Sequence, residues 1–299
     1  MRTAAIQSLP VELLETILSF LPKSDLPRIA LVSAQFCEAT RNTVYSTLDF
    51  QAISEPQVQK LCIILATSAS LAARVRSLSC HFWPATTSSD GRLIPSLDFT
   101  SALRNVSNLE SLTIRSFAPV LLQSPPLPFQ LKTLVILEDT ISSQQVTNLL
   151  GFLRSQASLQ SLALPNVIES DYSSHQEPLV SGLAQETILP SLSQIHAPPQ
   201  LMTIICSLLA QPLHTVILDV TTTLYTGLRP AAVLRAIQGV SELDVIFTHE
   251  VDKRTVEKFL GAAGGILSEG DSSSGHALIV LEVEVLWMED DAAEVSDIF

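Results

Sequence analysis

Leu109-Glu110-Ser111-Leu112-Thr113-Ile114, Leu131-Lys132-Thr133-Leu134-Val135-Ile136 and Leu159-Gln160-Ser161-Leu162-Ala163-Leu164 repeat one spacing: a leucine, a second three places on, and a large aliphatic residue two beyond that. The last three residues of each stretch alternate in character, which predicts a short strand with one face turned inward. The same spacing runs through Val75-Leu78-Cys80, Leu192-Ile195-Ala197, Leu213-Val216-Leu218 and Leu243-Ile246-Thr248. Successive middle positions (78, 112, 134, 162, 195, 216, 246) differ by 34, 22, 28, 33, 21 and 30, an irregular repeat. Helical patterns precede most strands: Leu97 to Val106, Thr147 to Ser155, Met202 to Ala210 and Ala231 to Gly239. A strand returning parallel to its neighbour needs a crossover of a dozen residues or more. Strand and helix in alternation therefore predict an α/β fold with a parallel sheet, stacked as a curved solenoid.

Alternation along each strand sends the residues flanking the last two repeat positions to the concave side. The candidate client face drawn from them is Thr113, Arg115, Val135, Leu137, His196, Ile217, Asp219, Phe247 and His249. It is neutral and partly apolar, and it reads either as a docking groove for a protein segment or as an ordinary sheet covered by loops. Toward the C-terminus, Ala277 to Trp287 alternates Glu282 and Glu284 against Leu281, Val283 and Val285, a strand whose acidic side discourages edge pairing. The acidic stretch at 289–299 reads as a solvated tail, with recruitment of a basic client as the alternative.

Upstream, Leu9-Pro10-Val11-Glu12-Leu13-Leu14-Glu15-Thr16-Ile17-Leu18-Ser19-Phe20-Leu21-Pro22 predicts a helix from Pro10 to Leu21: Pro at its start, an acid in its first turn, Pro at its end. Ser24 and Ser33 offer caps for two further short helices, completing a three-helix motif that closes near Val44-Tyr45. Leu13, Leu14, Ile17, Leu18, Leu21, Leu26, Ile29, Leu31, Val32 and Phe36 are more apolar side chains than a unit of roughly 45 residues covers alone. Some of them must face the rest of the chain or a partner.

At these residues the segment resembles the F-box motif. Leu9-Pro10, Glu12, Ile17-Leu18, Asp25-Leu26 and Val32-Ser33 match its usual run in identity and spacing, and Val44-Tyr45 with Leu48 resembles its aromatic close; Phe36 stands where Trp is common. The remainder is most similar to the leucine-rich-repeat class of F-box proteins. That repeat runs about 20 to 29 residues, and the Asn that usually follows its strand is mostly missing here, Asn166 being the nearest. The resemblance implies an N-terminal three-helix F-box (1–50), a helical connector (51–74) that includes Val58 to Ala73, an irregular leucine-rich-repeat domain (75–288) and an acidic tail (289–299). It also implies the role of adaptor in a cullin-RING ubiquitin ligase of the SCF type: the F-box holds the Skp1 linker, and through it a cullin, while the repeats present a protein client. By carry-over, Leu9, Pro10, Leu14, Ile17, Leu18, Leu26 and Val32 form the linker-facing surface. The alternative is a non-ligase scaffold whose F-box-like helices only cap the solenoid.

Composition narrows the other classes. Lys and Arg number 17 against 30 Asp and Glu, a net charge of −13, so phosphate backbones and anionic membrane surfaces meet repulsion. Nine acids and no Lys or Arg lie between Glu269 and Phe299. Pro190, Pro198, Pro199 and Pro212 break the neutral, greasy segment before it can span a bilayer. Pro10, Glu12 and Glu15 interrupt any signal core, which places the chain in the cytoplasm or nucleus. Cys37, Cys62, Cys80 and Cys206 lack disulfide or zinc spacing and read as buried free thiols; no metal or cofactor is indicated. Asn105-Val106-Ser107 is a glycosylation triplet of a kind that arises by chance. No G-x-S-x-G, Walker A, H-E-x-x-H or G-x-G-x-x-G motif is present, and Gly261-Ala262-Ala263-Gly264-Gly265 follows a helix (Lys253 to Leu260), so it reads as a C-cap and loop. His196, His249 and Asp219 meet only on the concave face, and a non-enzymatic protein is the expectation.

Overall fold

A computed structural model of the chain describes residues 9–80, 85–87, 93–95, 97–115, 121, 127–137, 140–141, 143–165, 168–169, 189–209, 213–220, 230–237, 240–247, 251, 253–268 and 280–285. The chain forms two compact units, Met1–Ile114 with Ala118–Leu131 and Arg115–Phe117 with Lys132–Phe299.

The first unit opens with α1 (Val11–Ser19), α2 (Leu26–Ile29) and α3 (Ala34–Ser46). Pro10 precedes α1 in extended backbone, and the Ser33 hydroxyl accepts from the Phe36 N–H at 3.3 Å to start α3. α2 begins after Asp25, and no side-chain cap from Ser24 holds it. The helix α3 passes into strand β1 (Thr47–Asp49) without an intervening residue. Then come α4 (Glu55–Thr67), α5 (Ala69–Ala72), β2 (Ser77–Cys80), the antiparallel ribbon β3 (Ala85–Thr87) and β4 (Leu93–Pro95), α6 (Leu97–Asn105) and β5 (Ser111–Ile114). Gln57 starts α4 by accepting the Ser54 N–H at 2.9 Å. β1, β2 and β5 pair in parallel, with Leu48 opposite Leu78 and Leu78 opposite Leu112. Phe50 and Phe99 meet edge-on beneath them, 6.4 Å between ring centroids. Asn105 donates from Nδ2 to the carbonyls of Leu65 (3.0 Å) and Ala66 (2.8 Å), so the amide of the glycosylation triplet closes the end of α4.

The second unit contains β6 (Thr133–Ile136), β7 (Thr140–Ile141), α7 (Ser143–Arg154), β8 (Ser161–Ala163), β9 (Ile168–Glu169), β10 (Gln194–Ala197), α8 (Pro199–Cys206), β11 (Thr215–Val220), α9 (Pro230–Ala236), β12 (Glu242–Phe247), α10 (Lys253–Ser268) and β13 (Val280–Val285). Six strands, in the order β6-β8-β10-β11-β12-β13, pair in parallel; β7 and β9 form a separate small ribbon. One row of side chains crosses the sheet in register: Leu134, Leu162, Ile195, Val216 and Leu243, all buried. The next positions along each strand are half-buried, the alternation expected when helices cover one face only.

Two sequence expectations are corrected. Val216 pairs with Leu243, so the repeat at β12 is Val240-Leu243-Val245, and the last interval is 27 instead of 30. Val240 and Leu243 are both apolar and three apart, as are Leu243 and Ile246, so spacing fits either frame; burial selects the first, because Val245 and Phe247 are buried while Ile246 is half-buried. The second correction is the glycine run. The helix α10 continues through Gly261–Gly265 to Ser268 because Val256, Phe259 and Ala263 keep one face buried, and that burial outweighs the roughly 1 kcal/mol each helical glycine costs.

Candidate functional site

α1 carries two adjacent rows of apolar side chains one residue apart. Leu14 and Leu18 turn inward and, with Leu26 and Ala39, make the core of the helical unit; all are at most 1% exposed. Leu9, Val11, Ile29, Phe36 and Val44 pack against them. The neighbouring row turns out. Leu13, Ile17 and Leu21 are exposed there, joined by Phe20 (83% exposed) and, beyond α2, Leu31 (87%) and Val32. The polar residues between them are already occupied: Thr16 donates its hydroxyl to the Glu12 carbonyl at 2.9 Å and Ser19 to the Thr16 carbonyl at 2.7 Å.

Of the residues carried over for a linker-facing surface, Pro10, Ile17 and Val32 are exposed and Leu9 is half-buried. Leu14, Leu18 and Leu26 are core residues, because their side chains fill the space between the three helices; they hold the surface up from behind and do not form it. Leu13, Phe20, Leu21 and Leu31 are the exposed residues the sequence reading passed over. The signal for them was present as the row 13, 17, 21, four apart, but two rows one residue apart fit a helix equally well until the partner helices are placed.

On the sheet faces, Thr113 is half-buried and Arg115 exposed; Val135, Leu137, His196, Ile217 and Asp219 are half-buried at open-face positions. Phe247 is not on that face. It is fully buried and meets Phe259 of α10 edge-on at 5.7 Å, and the open-face positions of β12 are Glu242, Asp244 and Ile246. His249 and Asn166 lie outside the described residues, as does the acidic tail. His196 Nε2 and Asp219 Oδ2 stand 2.5 Å apart, close enough for an ion pair but not aligned for a hydrogen bond, and among the described residues neither atom has another partner. Thr215 donates to Glu242 Oε2 at 3.0 Å on the same face. The open face of the second unit is therefore apolar toward β6 (Val135, Leu137) and acidic toward β12 (Asp219, Glu242, Asp244).

Among the described residues no group of His, Cys, Asp or Glu is arranged to hold a metal ion, and no helix is long and apolar enough to cross a membrane. Burial pushes the thiol of Cys206 up to about 12, and burial together with the nearby Asp98 charge pushes that of Cys62 up to about 12. Both stay protonated at neutral pH and are poor nucleophiles.

Residues 6–51 match the F-box-like family model, the segment that builds α1, α2, α3 and β1. A search of curated protein sequences finds no match to the chain.

Proposed function

We propose that this chain is a non-catalytic substrate-recognition adaptor of an SCF-type cullin-RING ubiquitin ligase, acting in the cytoplasm or nucleus. The observation that carries the reading is the set of exposed apolar side chains Leu13, Ile17, Phe20, Leu21, Leu31 and Val32 within the segment that matches the F-box-like model. Fully burying such a side chain is worth about 1.5–3 kcal/mol, so several together offset an association cost of roughly 4–15 kcal/mol. In this reading the surface seats a Skp1-like linker, which brings the cullin.

The remaining chain is read as an irregular leucine-rich-repeat solenoid that presents a protein client. One backbone feature supports a true repeat. The carbonyl just before each of β2, β6, β8, β10 and β11 accepts two N–H groups from the start of the next strand: Arg76 from Glu110 and Ser111, Lys132 from Gln160 and Ser161, Gln160 from Ser193 and Gln194, Ser193 from His214 and Thr215, His214 from Ser241 and Glu242, all at 2.8–3.1 Å. The same bond pair at intervals of varied length is what coils of one design with unequal loops produce.

A second reading has its own observation. Because α3 runs straight into β1, and Leu48 and Phe50 are buried beside that strand, the helices could serve only to cover the first sheet edge. Co-purification with Skp1 separates the two. The native chain should bind, and a Phe20→Asp, Leu31→Asp variant with an unchanged circular dichroism spectrum should not. No binding by the native chain leaves the helices as a cap and ends the ligase assignment.

A further inference from the structure

Arg74 lies between α5 and β2, and its guanidinium makes three hydrogen bonds, one to α5 and two to α3. Nε donates to the Ser70 carbonyl at 3.2 Å, Nη1 to Asn42 Oδ1, and Nη2 to Glu38 Oε1 at 2.7 Å. Asn42 relays the contact, donating from Nδ2 to Glu15 Oε1 at 2.5 Å. A chain of hydrogen bonds with charged groups at both ends thus runs from the chain entering β2, through α3, to α1. Such bonds are shorter and stronger than neutral ones; the Arg74 side chain is 21% exposed, while Glu38, at 48%, leaves its end of the pair open to solvent screening.

The surrounding backbone makes this position a joint. The Arg76 N–H donates to the Ser46 carbonyl at 2.9 Å, across the point where α3 becomes β1, and Thr47 is in register with Ser77. Asn108 holds the preceding Ala73 carbonyl at 2.7 Å. Besides the guanidinium, the helices meet the strand layer through the passage at Ser46 and Thr47, through packing of α3 against α5, and through the exposed Lys23, whose Nζ reaches the Thr47 carbonyl at 3.3 Å. A lysine tether on the surface contributes little.

We infer that Arg74 is a positioning residue: through Glu38 and Asn42 it fixes the F-box-like helices at one angle to β1, β2 and β5, so that the exposed apolar surface is presented as part of a rigid body. The clamp is a property of the first unit alone. Its use, to deliver a bound linker in a set direction, rests on the adaptor reading, and the test below separates the two.

The experiment uses the full chain with spin labels introduced through an unnatural amino acid at Glu12 on α1 and Ser101 on α6, both exposed. The native chain should give one narrow distance distribution by double electron–electron resonance. Arg74→Ala should lose it in favour of a broad one while Skp1 affinity, measured on unlabelled protein, stays the same; Lys23→Ala should keep it. Arg74→Lys, which retains a charge for Glu38 but cannot fork to Asn42, should broaden less and guards against a variant that fails to fold. An unchanged distribution in folded Arg74→Ala or Arg74→Lys, or equal broadening by Lys23→Ala, overturns the inference. Failure of the native chain to bind Skp1 would overturn the adaptor reading while the distances still decide the clamp.

Discussion

The three N-terminal helices and the strands of the parallel sheets treat their apolar side chains in opposite ways. The strands β1, β2, β5, β6, β8, β10, β11 and β12 bury every second residue and leave half-buried or exposed positions between; none of these strands shows an exposed large hydrophobe. The helical unit buries a small core of four residues and leaves Leu13, Ile17, Phe20, Leu21, Leu31 and Val32 uncovered. Only Ile63 and Ile64 on α4 join them among the described residues. A sheet flanked by its own crossover helices is completed by its own chain, whereas uncovered apolar side chains of this kind are a feature that interaction sites present.

The sharpest way to break the comparison is at β12, where two neighbouring residues should behave as opposites. Phe247→Ala should cost about 3–5 kcal/mol, as removal of a buried aromatic does. Ile246→Ala, on the half-buried face, should cost less than about 1 kcal/mol. Urea denaturation of the two variants checks this; the reverse order would restore the frame Leu243-Ile246-Thr248 and return Phe247 to the client face.

In the helical unit the same contrast falls within six residues of chain. Leu14→Ala should lose about 2–5 kcal/mol of stability. Phe20→Ala should change stability by no more than about 0.5 kcal/mol, as surface changes do, yet weaken Skp1 binding by at least about thirtyfold if it is an interface anchor worth 2 kcal/mol or more. Thermal melts and titration calorimetry on both variants make the test. If Phe20→Ala melts early, the outward row is structural and the contrast between the regions dissolves.

These pairs show what could be read from the residues. The strand spacing predicted the parallel sheet, and the register unites Leu78 with Leu112, and Leu134 through Val216, at the positions where period-two alternation forces one face inward. The frame at β12 was not legible, since Val240, Leu243 and Ile246 are equally apolar and only the helix packed beneath decides between them. The F-box resemblance located the helical surface but not its outward row, for the same reason: residues 13, 17, 21 and 14, 18 are both helical stripes. Arg74 could not be found at all, because Glu15, Glu38, Asn42 and Arg74 are brought together only by the fold.

Two thiols of raised pKa extend the comparison from carbon to sulfur, Cys62 buried in the first unit and Cys206 half-buried in the second. Cys62 on α4 and Cys206 on α8 have thiols pushed up to about 12 from the ordinary 9.0. A group whose folded pKa is raised holds its proton more tightly in the native state. The stability it contributes is complete below the ordinary pKa and is lost as the pH climbs from about 9 toward 12. Denaturant midpoints should therefore fall over that range, and less so in a Cys62→Ala, Cys206→Ala variant. Iodoacetamide at neutral pH should leave both thiols unmodified until the chain unfolds. Rapid modification of Cys62 alone would show that α4 is less well covered than α8, a difference between the units that their strands do not display.

The smallest effect tests where burial overrode local preference. Gly261 and Gly264 sit in α10 on its exposed side, and a Cβ added at either meets nothing within 4 Å. Neither carries a backbone angle that only glycine tolerates. In a helix interior, alanine is better than glycine by about 0.5–1 kcal/mol, because glycine loses more conformational freedom on folding. Gly261→Ala and Gly264→Ala should each raise stability by about that amount. A loop running from Gly261 onward, the expectation from sequence alone, would instead make both substitutions neutral or harmful. The sign of the shift in thermal midpoint therefore states whether Val256, Phe259 and Ala263 hold this helix against its own glycines, as the register of strands on either side of it requires.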